Sequence, residues 1–178
     1  MTTKKSGIYQ IILSAMFLAI ALILPLITGQ IQKIGNALCP MHIPVLLCGF
    51  FCGPIYGLIV GFIAPLLRFA LFGMPPIVPA GIGMCFELAT YGLVSGMMYK
   101  IFPKKKIYIY ASLIIAMIAG RIVWGLVRTL LYGLIHTEFG LEAFIAGAFL
   151  NAIPGIIVQL LLIPLLVMLL KRQMNKQP

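Results

Sequence analysis

The chain has 178 residues, 62% of them hydrophobic and 9% charged, with a net charge of +10. A soluble domain of this size carries far more polar surface. Most of the lysines stand in short clusters between apolar runs, the arrangement that sets membrane topology, and this argues against a nucleic-acid-binding protein. The expectation is one integral membrane domain over residues 1–178.

Lys4 and Lys5 precede a first apolar span, about Ile8 to Ile27. It is too long, and too plainly followed by further spans, to read as a removable signal peptide. Ala15 and Ala19 stand four apart in it, and small residues at that spacing let another helix approach closely. Residues 28–41 form a long polar connection, a kind of loop that is often functional. A short apolar run, Ile43 to Cys52, continues through Gly53-Pro54 into Ile55 to Phe72. Gly49, Gly53, Gly57 and Gly61 recur every four residues. Pro54 lacks a backbone N–H and clashes with the preceding turn, so two helices meeting near Gly53 to Gly57 are expected rather than one. Arg68, in the last turns of the second of these, either snorkels to the membrane interface or lines a cavity.

Gly73 to Pro79 (GMPPIVP) cannot be regular helix. A fourth span, about Ala80 to Tyr99, contains Glu87, the one acidic residue inside any span, with Tyr91 one turn further on. Lys100 and Lys104 to Lys106 form a basic loop. The fifth span, about Ile107 to Leu134, holds GRIVWGLVRTLLYG, in which Arg121, Trp124, Arg128 and Tyr132 follow steps of three, four and four and share one helical stripe. The sixth, about Ala143 to Leu170, carries Asn151, Pro154 and Gln159. Six spans with both termini in the cytoplasm put every basic cluster inside. The expected fold is all-α, with six transmembrane helices.

That topology places Glu87 roughly 10 Å, Arg128 roughly 9 Å and Asn151 roughly 12 Å below the outer surface, at about 1.5 Å per helical residue. Three helices thus bring polar residues to one level, whereas only Gln159 interrupts the cytoplasmic half. Intramembrane arginines are costly and normally face a bundle interior or wet cavity. Two arginines against one carboxylate leave a positive charge that wants an anion, carbonyls or water. An outward-facing ligand pocket follows, formed by Glu87, Arg128, Trp124, Asn151, Arg121 and Tyr91, with Arg68 as a further candidate. The rival reading is a plain buried salt bridge holding two helices together. Trp124 as core filler competes with Trp124 as a stacking surface. On the pocket reading, Glu87→Gln or Arg128→Ala is expected to abolish binding without unfolding the protein.

Catalysis has no support: there is no metal-ligand spacing, Walker A sequence or nucleophile–base pair, and no cofactor is expected. The four cysteines, Cys39, Cys48, Cys52 and Cys85, read as small buried apolar residues. His42 and His136 read as ordinary loop histidines. With no nucleotide site, the chain cannot drive active transport alone.

The Ala15–Ala19 pattern, MHIPVLLCGFFCGPIYGLIVGF from Met41 and FELATYGLVSG from Phe86, in this order within six spans, resemble the S components of energy-coupling factor (ECF) transporters. The resemblance covers nearly the whole chain. It implies a multi-pass protein of a bacterial or archaeal cell membrane that binds a vitamin-like micronutrient from outside. It also implies partners: a transmembrane coupling subunit, touched through Ala15 and Ala19, and two cytoplasmic ATPases. Delivery would be by toppling within the lipid. The substrate stays open between pantothenate or another small vitamin and a flat nitrogen heterocycle such as pyridoxine, a pyrimidine or a deazapurine of the queuine type. A structural or assembly membrane protein and a stand-alone secondary transporter are the alternatives. The second would need polar residues along a full path.

Overall fold

The computed structural model describes residues 7–27, 39–103, 105–134 and 153–174. Among them helix is the regular secondary structure, and there is no strand. We number the helices α1 (Gly7–Ile27), α2 (His42–Cys52), α3 (Pro54–Phe72), α4 (Ile82–Ile101), α5 (Lys106–Leu134) and α6 (Ile153–Met174). All but α2 are long and apolar enough to cross a membrane. A bilayer core offers backbone groups no water, so a spanning segment must satisfy them within itself, as a helix does. At 11 residues, α2 is only roughly 16 Å long, about half of a hydrocarbon core.

The side chains are arranged for lipid rather than water. Ile8, Ile55, Leu130 and Leu161 are each more than two-thirds exposed, and comparable apolar side chains line the outside of every long helix. No soluble surface tolerates so continuous an apolar coat. Serine and threonine hydroxyls inside the spans are satisfied within their own helices. Ser14, Thr90, Ser112 and Thr129 each donate to the carbonyl four residues earlier.

Helix α4 is the centre of the bundle, packed against α2, α3 and α5; α1 lies on α2 and α3, and α6 on α2 and α5. The break between α2 and α3 is a single residue. Gly53 takes φ 102°, a region that glycine enters without a Cβ penalty, and Pro54 opens α3. This agrees with the expected pair of helices. The chain then doubles back so closely that α3 and α4 meet through glycine. A Cβ at Gly61 would meet the backbone of Leu88, one at Gly57 the carbonyl of Gly92, and one at Gly92 the backbone of Gly57. At the same place a Cβ at Gly49 of α2 would meet Ser95 Oγ and Gly92 O.

These contacts fix direction. Helices α2, α4 and α6 finish at the same end, where Lys100 approaches Gly53 and the Lys171 ammonium lies 4.2 Å from the centroid of the Tyr99 ring. Arg68 of α3 reaches Leu22 of α1 near the finishing ends of both helices, so α1 and α3 run the other way. So does α5, whose Arg121 meets Glu87 and whose Arg128 meets Gly83 further toward the start of α4. One end of the bundle is therefore basic, and the opposite end is lysine-poor.

The connection into α4 differs in detail from the expectation. Gly73 closes α3 at φ 70° with its N–H bonded to the Phe69 carbonyl. The peptide bonds before Pro75 and Pro79 are cis. Wide turns over Ile77–Gly81, with Val78 extended, lead directly into α4 at Ile82. Three prolines without N–H groups keep this segment irregular until Gly81. The other helix limits agree with the expected spans to within a few residues, except that the start expected for span six, residues 143–152, lies outside the described residues.

The close α3–α4 contact generates a test. Gly92→Ala places a methyl against backbone that cannot rotate away, and overpacking of this kind costs about 1–3 kcal/mol or more. Gly133→Ala, with nothing within 4 Å, should be close to neutral. Thermal unfolding in detergent should show a clear drop in Tm for the first variant and none for the second.

Candidate functional site

The one carboxylate among the described residues, Glu87, lies in the second turn of α4 and is 2% exposed. A buried carboxylate needs a countercharge and hydrogen bonds. Arg121 of α5 supplies the charge, with Nη1 3.1 Å from Glu87 Oε1. From a third helix, His42 brings Nε2 to 3.5 Å from the same oxygen. Arg121 is itself 7% exposed, and its Nη2 also donates to Cys39 Sγ at 3.9 Å. Thus α2, α4 and α5, together with the turn before α2, converge on one carboxylate.

The position of His42 corrects the reading of it as a loop histidine. A turn closed by the His42 N–H on the Cys39 carbonyl leads into α2, and His42 is that helix's first residue, 2% exposed. A signal for this was present in Pro44. Proline is tolerated in the first turn of a helix, so Ile-Pro after His42 marks a helix start and draws the histidine into the bundle. Its partner stands 45 positions further along the chain, which no local pattern reveals.

Tyr91, one turn beyond Glu87, is fully buried and sets its ring edge-on to His42, centroids 5.2 Å apart. Space for that ring comes from α5: a Cβ at Gly120 would land on it. The glycine that opens GRIVWG is therefore what admits Tyr91 beside Glu87. The Tyr91 hydroxyl and His42 Nε2 both face Glu87, while His42 Nδ1 and Arg121 Nε are buried with no hydrogen bond among the described residues. Native interiors hold few such atoms, and each calls for a partner such as a water, an ion or a ligand. Burial also pushes the Cys39 thiol up to about 11, with Arg121 opposing the shift, so the group next to the guanidinium is a neutral thiol at physiological pH.

The rest of the arginine stripe lies toward the lysine-poor end. The Arg128 guanidinium sits 4.9 Å above the Trp124 ring and 5.9 Å from that of Tyr132, as steps of four on one helix face require. Gly83 of α4 accommodates this stack, since a Cβ there would meet Arg128 Cγ at 3.3 Å and Trp124 Cδ1 at 3.5 Å. Trp124 is buried and Arg128 half-buried. Arg128 has no carboxylate within ion-pair distance among the described residues, and its Nε is buried without a hydrogen-bond partner.

Of the candidates from sequence, the structure thus brings Glu87, Arg121 and Tyr91 into one cluster and sets Trp124 and Arg128 one turn of α4 away. Arg68 is placed differently. It is buried, lies 5.5 Å from the Phe72 ring centroid of its own helix, and ties α3 to α1 by donating from Nη1 to the Leu22 carbonyl at 3.1 Å. Asn151 and His136 lie outside the described residues. Ala15 and Ala19 are exposed on the lipid side of α1.

The buried pair changes the expectation for Glu87→Gln. Breaking such a pair leaves Arg121 charged, buried and unmatched, which costs about 3–5 kcal/mol. Removing both charges in Glu87→Gln/Arg121→Gln should cost less than Glu87→Gln alone. A double-mutant cycle on detergent unfolding midpoints measures this. Additive losses would mean that the two side chains do not interact.

The model of one protein family, described as ECF transporter, substrate-specific component, matches residues 9–167. No curated protein and no solved structure matches the chain.

Proposed function

The chain belongs to the family of substrate-specific components of ECF transporters, and from that premise we propose that the cluster around Glu87 and the Arg128 stack together form its binding site for a small vitamin-like molecule. Membership makes this a multi-pass membrane component of an ECF transporter, one that works with a module of ATPases and a transmembrane coupling subunit and is not itself the ATPase. The site, the substrate and the manner of delivery are the proposal. The observation that carries it is the convergence of three helices on Glu87 beside buried polar atoms, among them His42 Nδ1 and Arg128 Nε, that have no partner among the described residues.

By the positive-inside rule the basic end faces the cytoplasm, which turns the lysine-poor end outward. The site then opens to the side from which a nutrient arrives. A structural role for the charges accounts for Glu87 with Arg121. It does not account for Arg128, which has aromatic faces but no countercharge among the described residues, or for His42 Nδ1. Pantothenate-like acids and flat nitrogen heterocycles both offer groups that such a site can meet.

Delivery by toppling draws support from the outer surface. Exposed apolar side chains coat the long helices, so tilting trades lipid contact for lipid contact. Ala15 and Ala19 expose a small-residue strip on α1, where another helix can come close. Beside it, an apolar groove of about 450 Å³ runs between α1, α2 and α6, with Met16, Phe17 and Ile20 among its lining. This face is the proposed contact with the coupling subunit.

Two measurements test the reading. Native mass spectrometry of protein freshly extracted from its host membrane should release a small molecule of vitamin size. Ala15→Leu/Ala19→Leu should keep that ligand but lose co-purification with the coupling subunit and ATPases. Loss of the ligand with retention of the partners would reverse the assignment of the two surfaces.

A further inference from the structure

Resting on the binding reading above, we infer that the substrate is a small organic acid bound as an anion, with its acid group on Arg128 and a neutral, hydrogen-bonding body on the His42–Tyr91 side. Glu87 and Arg121 are buried together at 3.1 Å and compensate each other. His42 approaches the same oxygen, so no further negative charge is available from that carboxylate. Arg128 is left. It stands seven residues along α5 from Arg121, roughly 10 Å, toward the lysine-poor end. An arginine at such a depth needs a partner. Trp124 and Tyr132 flank its guanidinium, and ring faces attract a cation without neutralising it.

The geometry also says which part of a substrate meets which group. A guanidinium stacked on aromatic rings still presents its N–H edge, the arrangement that receives a carboxylate or phosphate through paired hydrogen bonds. The Trp124 face that Arg128 covers is closed to a stacking heterocycle. On the inner side, His42 Nδ1 is buried without a hydrogen-bond partner among the described residues and suits a hydroxyl or amide group, as does the Tyr91 hydroxyl beside it. The charge balance selects an acid over a neutral or cationic ring.

The test uses matched probes on the purified full chain: pantothenate against pantothenol, nicotinate against nicotinamide, biotin against its amide, and pyridoxal 5′-phosphate against pyridoxal. The carboxylate pairs and the phosphate pair separate the two anion types. At least one acid should bind 100-fold or more tightly than its neutral counterpart. Arg128→Gln should erase that preference and Arg128→Lys should keep part of it. A neutral member that binds as well as its acid, and that is lost in Tyr91→Phe or His42→Gln, overturns the anion inference while leaving the binding site in place. If no probe binds, the molecule released from freshly extracted protein decides: an acid supports the inference and a neutral or cationic molecule overturns it. Absence of any ligand in both experiments removes the binding reading and this inference with it. The remaining carboxylates are Glu138 and Glu142. Anion binding that is absent from the wild type and gained in Glu138→Gln/Glu142→Gln would show that the chain itself compensates Arg128, and would overturn the assignment.

Discussion

A single buried carboxylate organises the lysine-poor half of this bundle. Glu87 cannot sit on the central helix of an apolar protein without a countercharge, and its demand draws Arg121 from α5 and His42 from α2 to one oxygen. The short helix α2 is held in place by this and by its glycine-mediated approach to α4. An 11-residue segment would not span a bilayer alone. It is stable here because ten of its residues are buried, and because its polar first residue finds its partner inside the protein.

Close packing and polarity divide the work along α4. Toward the basic end, Gly92 and Gly96 bring α2 and α3 to backbone contact, leaving no room for a ligand. Toward the lysine-poor end the residues of α4 are Gly83, Glu87 and Tyr91. Each is matched by a feature of α5: the Trp124–Arg128 stack over Gly83, Arg121 against Glu87, and Gly120 under Tyr91. The same helix thus closes one end of the bundle and furnishes the other. This asymmetry suits the proposed binding of a substrate at one end better than it suits a continuous channel, which would need polar residues along its whole path.

Much of the fold was legible in the sequence because a membrane makes long apolar runs unambiguous. The helical stripe from Arg121 to Tyr132 was equally legible, since periodicity alone places Trp124, Arg128 and Tyr132 on one face. Pro54 announced the break before α3. His42 was missed, because its importance comes from a contact across 45 positions and its neighbours in sequence are apolar. Cys39 beside Arg121 was hidden for the same reason. Arg68 was left between two readings, and its actual partner, a backbone carbonyl of α1, carries no sequence signature at all. The cradle glycines Gly83 and Gly120 could be seen as residues but not as spaces, since their meaning depends on the side chains of the opposite helix.

The most direct test of the central claim is an experimental structure of the protein isolated with its native ligand. The account predicts density for one small molecule at the lysine-poor end, in contact with Arg128 and with His42 or Tyr91, while Glu87 and Arg121 remain paired beside it. A ligand held elsewhere in the bundle, away from Arg128, His42 and Tyr91, would contradict it.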